Sequence, residues 1–196
     1  CGFGNKISKK AELISKFTSA QSTLCLNDFS VTEFERNNLI NNAFGNSLTS
    51  LFQVYDFNTN EDMNFITISA KHDAYKKKFD YLCERKIKIN KKNGNLSGDD
   101  NLILNNYNEG TPTFYNIRFH LYPGINAVQT IGKNAILIQV EKNKSLIFTS
   151  SGENISLEKS IFLGRNQIIN NSCITISGIL KKNESKKIHW DLRKNG

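Results

Sequence analysis

From Leu48 onward the chain consists of short segments in which apolar and polar residues alternate, separated by Gly, Asn and Lys. This is the pattern of antiparallel strands joined by turns. The clearest segments are Leu51 to Phe57, Phe65 to Ala70, Arg85 to Ile89, Ile117 to Leu121, Ala135 to Val140, Leu146 to Ser150, Cys173 to Ile179 and Ile188 to Leu192. In Lys86 to Ile89 and in Ile188 to Leu192 the period of two sends one set of side chains to a core and the other to water. Turn residues mark the joints, as in Lys92-Asn93-Gly94-Asn95, Gly132-Lys133-Asn134 and Asn143. The predicted fold is all-β, an antiparallel β-sandwich of layered sheets.

One segment departs from that period. Ser8 to Ala20 places Ala11, Leu13, Ile14 and Phe17 on one helical stripe, with Ser8 able to cap its start, so one short N-terminal helix is predicted. Glu33 to Ser50 is polar and rich in Asn without a clear period, and reads as a loop or insertion with a weak helix as the alternative. A chain of 196 residues suits a single domain over residues 1–196, because two halves would each be small for an independent core. It opens on Cys1-Gly2, which reads as a strand end entering a turn, so further chain upstream is expected.

Twenty-six Lys and Arg against eighteen Asp and Glu give a formal charge of +8, which favours anionic partners without naming one. Lysine pairs such as Lys91-Lys92, Lys181-Lys182 and Lys186-Lys187 read first as solvated strand edges. Cys25, Cys83 and Cys173 each lie in an apolar strand-like setting and lack CxxC spacing, so buried free thiols are expected, a disulfide between distant strands being the alternative. No apolar run is long enough to span a bilayer.

Candidate chemistry concentrates between His72 and Pro123. His72 follows the strand-like FITISA, where an imidazole either serves as general acid or base or bonds backbone at a turn while Asp73 caps it. In Ile117-Arg118-Phe119-His120-Leu121-Tyr122, alternation puts Arg118, His120 and Tyr122 on one face, a mixture suited to an anionic sugar or to contact with another domain. His189, beside Trp190, is expected to line the core. The three histidines show no metal-ligand spacing, and no phosphate loop, nucleophile elbow or basic recognition helix is present, so neither a metal site nor a nucleic-acid partner is predicted.

The order of several short motifs resembles the C-terminal β-domain of heparinase II/III-like proteins. These are Cys1-Gly2, Ser22-Thr23-Leu24-Cys25-Leu26, His72-Asp73-Ala74-Tyr75 followed by Arg85, Gly98-Asp99-Asp100, Arg118-Phe119-His120-Leu121-Tyr122-Pro123, Ser160-Ile161-Phe162-Leu163-Gly164 and Trp190-Asp191-Leu192-Arg193. The resemblance implies an α-helical toroid domain upstream, an acidic polysaccharide held between the two domains, and β-elimination at a uronic acid as the chemistry. It also implies that the main catalytic groups lie outside this chain, leaving His72, Tyr75, Arg85, Arg118 and His120 as substrate-binding candidates. Relatives place a histidine just before the Ser-Thr-Leu strand, some of them for a structural zinc. This chain has Gln21 there, so no cofactor is expected. After the HDAY motif it has Glu84-Arg85-Lys86, keeping an arginine and lacking an imidazole. A bacterial envelope or periplasmic location follows from the same resemblance. A noncatalytic glycan-binding or bracing module is the alternative function, and nonspecific polyanion binding by net charge a third.

Overall fold

The computed structural model describes residues 7–31, 33–34, 52–106, 113–164 and 166–195. The predicted loop at Glu33 to Ser50 falls almost wholly outside them, as does Cys1. The described chain begins with helix α1 (Lys9–Ser15) and a 3-10 turn (Thr18–Ala20) leading into strand β1 (Leu24–Leu26). Strands β2 (Val54–Glu61) and β3 (Phe65–His72) precede a one-turn helix α2 (Lys76–Phe79). Then follow β4 (Tyr81–Asn90), β5 (Leu96–Leu104), β6 (Thr113–His120), β7 (Asn126–Gln129), β8 (Ala135–Glu141), β9 (Lys144–Ser150), β10 (Asn154–Gly164), β11 (Gln167–Leu180) and β12 (Lys186–Asn195). They form two antiparallel sheets, one of four strands ordered β1-β6-β11-β10 and one of eight ordered β2-β3-β4-β5-β12-β9-β8-β7. The sandwich predicted from the alternation is the fold observed.

The two inner faces follow from register. On the large sheet Ile188 lies opposite Asp100, Trp190 opposite Gly98 and Leu192 opposite both Leu96 and Phe148. On the small sheet Ile117 lies opposite Leu24 and Ile176, and Phe119 opposite Ile174. Leu26, Leu102, Ile117, Ile136, Ile176 and Ile188 are completely removed from water, each stabilising the domain by about 1.5–3 kcal/mol relative to exposure. Phe119 bridges the layers, its ring 4.8 Å from Trp190 and 4.9 Å from Phe148. Gly98 is needed beneath that group, because a Cβ there would collide with the Trp190 indole.

Several expectations are corrected. The helix ends at Ser15 instead of running to Ala20, because tertiary bonds draw the chain away: Thr18 N–H donates to Ser30 Oγ and the Thr18 hydroxyl accepts from Val31 N–H. Ser8 does cap it, accepting from Ala11 N–H at 3.1 Å. Of the expected segment Leu51 to Phe57 the described part before Val54 is not strand, and Leu51 itself lies outside the described residues; the first strand of the large sheet runs over Val54–Glu61. It is an exposed edge whose polar Asn-Thr-Asn-Glu end needs no apolar alternation. His189 points away from the core and only Trp190 points in, since neighbours on a strand face opposite ways. Its Nδ1 lies 2.7 Å from Asp99 and its Nε2 3.3 Å from Asp191. Lys186 is no plain solvated edge: its ammonium lies 2.9 Å from Glu153, whose other oxygen accepts the Tyr115 hydroxyl at 2.6 Å. Cys25, Cys83 and Cys173 are buried free thiols, as expected.

Candidate functional site

The strongest polar grouping inside the sandwich is built on β4 and β5. Arg85 and Asp100 are register partners, and their side chains meet in two bonds, Nε to Oδ1 at 2.7 Å and Nη2 to Oδ2 at 3.0 Å. Asp100 also accepts the Trp190 indole N–H at 2.9 Å. The third nitrogen of Arg85, Nη1, donates to the Ser22 carbonyl at 2.6 Å. A carboxylate nearly sealed from water, with a forked guanidinium and an indole as donors, has its charge and lone pairs satisfied.

The same incoming segment, residues 19–31, is gripped by most of the other candidates. Tyr75 is wholly buried, and its hydroxyl donates toward the Phe29 carbonyl at 3.2 Å, with the Leu24 carbonyl at 3.5 Å. Burial pushes that phenol far above its ordinary value. Arg118 holds Asp28 at 2.9 Å. His120 places Nδ1 3.1 Å from the Ser160 hydroxyl and Nε2 3.1 Å from the Ser19 carbonyl. Because a carbonyl only accepts, Nε2 carries the proton in that arrangement. Burial holds the His120 pKa below the usual histidine value. The face anticipated as Arg118, His120 and Tyr122 in a row is therefore divided. The first two bind the chain's own segment, and Tyr122, exposed beyond the strand, packs edge-on to Phe162 at 5.5 Å.

His72 is placed differently. It ends β3, opposite Cys83, and its Nδ1 lies 3.4 Å from the Ala74 N–H. Its ring is 5.8 Å from Phe52 and 6.1 Å from Tyr75. Burial lowers its pKa, and the nearby Arg85 charge acts in the same direction, against Asp73 and Asp100. The imidazole is thus a neutral group at the end of the large sheet.

Beyond Phe52 the surface opens into a cleft of about 750 Å³. Its lining includes Phe29, Phe52, Asn105 and three consecutive lysines, Lys76, Lys77 and Lys78, all exposed. The lysines stand on α2, which ends at Asp80, whose left-handed conformation (φ 59) turns the chain directly into β4. The Lys78 ammonium sits 3.3 Å from the Phe29 ring centroid. Asp73 accepts the Gln53 N–H at 2.7 Å and Asp80 accepts from the Asn105 and Asn106 amides at 3.4 Å each. Two of the three carboxylates in the lining, Asp73 and Asp80, therefore shape the backbone around the lysines, and Glu33 is the third. The sequence offered a signal for this site, a run of three lysines directly after HDAY.

The Gln21 amide donates to the Ser15 carbonyl at 2.7 Å. Among the described residues no three His, Cys, Asp or Glu side chains group so as to hold a metal.

The Heparinase II/III-like, C-terminal family matches residues 1–191. The chain belongs to that family. Among solved structures, the heparan sulfate lyase HepC from Pedobacter heparinus shares the fold with a TM-score of 0.70 at 13% identity, over 94% of this chain and 25% of that one. A heparinase III gene product aligns over 99% of this chain and 26% of its own, with a TM-score of 0.69 and 11% identity. Another heparinase III gives a TM-score of 0.67 at 11% identity, over 95% of this chain and 25% of its own. The chain thus spans about a quarter of the length of these structures. No curated protein matches it by sequence.

Proposed function

We propose that this heparinase II/III-like C-terminal domain belongs to a polysaccharide lyase acting on a uronate-containing glycan, and that it forms one wall of the substrate cleft. Family membership over residues 1–191 is the observation that carries this reading. An α-helical toroid domain upstream would supply the opposite wall, and a bacterial envelope or periplasmic location would bring the protein to such glycans.

In the β-elimination envisaged, neutralising the uronate carboxylate acidifies the proton on C5. A base removes that proton, the released electron pair forms the C4–C5 double bond, and the C4–O bond breaks as an acid protonates the leaving oxygen. Tyr75 does not serve as that acid, because its hydroxyl is sealed in the core on backbone carbonyls. His72, neutral beside the cleft, is suited to orienting substrate. The central acid and base come from outside this chain, so the 196-residue chain alone is inactive. Full-length protein, assayed on a panel of acidic glycans for the absorbance of unsaturated uronate, should form product on at least one. Absence of product on every member would overturn the reading.

A noncatalytic glycan-binding or bracing module is the second reading. The grip of Tyr75, Arg85, Arg118 and His120 on the chain's own residues 19–31 favours it.

A further inference from the structure

His120 ends β6 and Ser160 lies on β10, with β11 between them. Their register partners on β11 are Cys173 and Asn171, two residues apart, so the two side chains converge across the middle strand. The Ser160 hydroxyl meets His120 Nδ1 at 3.1 Å. Since the ring proton on Nε2 is committed to the Ser19 carbonyl, Nδ1 offers a lone pair and the serine is the donor. A hydroxyl, an imidazole and a fixed acceptor behind the imidazole therefore stand in series. A nucleophile, its base and the group that orients the base are connected in this way in acyl-transfer sites. Burial lowers the His120 pKa, which favours the neutral ring that can take a proton.

A bond that served only to clamp the chain would need no space beside the hydroxyl. Here a cavity of about 140 Å³ opens against it, lined by Ser160, His120 and Ser19 and by the apolar side chains of Ile14, Ile161 and Leu163. Ser160 is half-buried, so solvent and small solutes reach it. The apolar wall suits a hydrocarbon chain. A volume well below the roughly 300–1,000 Å³ of pockets for drug-sized ligands limits that chain to a few carbons. Ser19 is exposed in the same lining, and its hydroxyl is a donor for a carbonyl oxygen.

We propose that Ser160 and His120 form a site that hydrolyses short-chain carboxylic esters, with Ser160 as nucleophile, His120 as general base and the Ser19 carbonyl positioning the ring. Ser160 Oγ bonds to the ester carbonyl carbon as its proton passes to His120 Nδ1. The bond from that carbon to the alcohol oxygen breaks, and the leaving oxygen takes the proton from Nδ1. Water then attacks the acyl-serine through the same relay, which releases the acid and restores the Ser160 hydroxyl. None of these steps depends on the β-elimination, so this site and the lyase reading stand or fall separately.

The 196-residue chain is treated with a fluorophosphonate, a reagent for activated serines, and its peptides are mapped by mass spectrometry. The adduct is expected on Ser160 and not on Ser156, whose hydroxyl on the same strand donates to Glu158 instead. No adduct, or adducts only on other residues, would overturn the site. With p-nitrophenyl acetate as substrate, nitrophenolate release should fall at least about tenfold in S160A and in H120Q. S156A should stay within about twofold of the parent. S160A deletes one oxygen and leaves the strand intact, so it decides the matter even where H120Q fails to fold. Unchanged turnover in S160A would trace the hydrolysis to another nucleophile and sink the proposal. Decanoate ester cleaved as fast as the acetate would contradict the cavity as the acyl pocket.

Discussion

Arg85 and Asp100 face each other across β4 and β5 and meet through two parallel hydrogen bonds, and Asp100 is almost entirely shut off from water. The pair joins three parts of the fold, since Asp100 also holds Trp190 on β12 and Arg85 also holds Ser22. Removing one partner leaves a buried charge without its counterpart. Asp100→Ala is therefore expected to lower stability by about 3–5 kcal/mol, read as a fall in the urea midpoint. The double variant Arg85→Met with Asp100→Leu should regain much of that loss, because two apolar groups leave no charge stranded. A double variant no more stable than Asp100→Ala would contradict this account.

Gly98 lies directly beneath the indole of Trp190, and a methyl group there has no room. Gly98→Ala is expected to cost about 1–3 kcal/mol through overpacking. Trp190 is the single tryptophan of the chain, so its fluorescence reports the displacement without interference. An unchanged emission maximum together with an unchanged melting temperature would show that the strand accommodates the methyl.

His72 and His120 both have pKa values lowered by burial. Between their folded values and the ordinary one near roughly 6.5, the unfolded chain binds more protons than the folded chain. Their contribution to stability is complete above that upper limit and is lost as pH falls through the window beneath it. Melting temperature should therefore drop between about pH 7.5 and 5.5, and the drop should be shallower in a His72→Gln, His120→Gln variant. Parallel slopes for the two proteins would show that other groups set the dependence.

The sandwich was legible because alternation survives wherever one strand face is buried. Phe65 to Ala70, Ala135 to Val140 and Cys173 to Ile179 all fall within observed strands. Polar strands hide from that pattern. Leu96–Leu104 carries Asp99 and Asp100 in its centre, and pairing of Asp100 with Arg85 and Trp190 and of Asp99 with His189 and Lys187 on neighbouring strands makes those carboxylates compatible with a sheet. The site residues were harder to read for a related reason. Alternation gives the face of a side chain and says nothing of what lies on it. Arg118 and His120 lie on the expected face, yet Asp28, Ser19 and Ser160 already occupy them. The lysine run after HDAY was visible in the sequence, but its cleft depends on a left-handed Asp80 and on Phe29 and Phe52 arriving from elsewhere in the chain.

The grip on residues 19–31 has a consequence for how this sequence is free to drift. His120 holds the carbonyl of Ser19, Arg85 that of Ser22 and Tyr75 those of Leu24 and Phe29, so the gripped partners are mainly backbone atoms that every amino acid supplies. Substitutions within the segment leave these bonds available, whereas substitutions at Tyr75, Arg85 or His120 remove them. Ser22 is an exception, since its hydroxyl also accepts the His120 N–H at 3.0 Å, so divergent copies of this domain should vary more at Ser19 than at Ser22 or at the side chains that hold them.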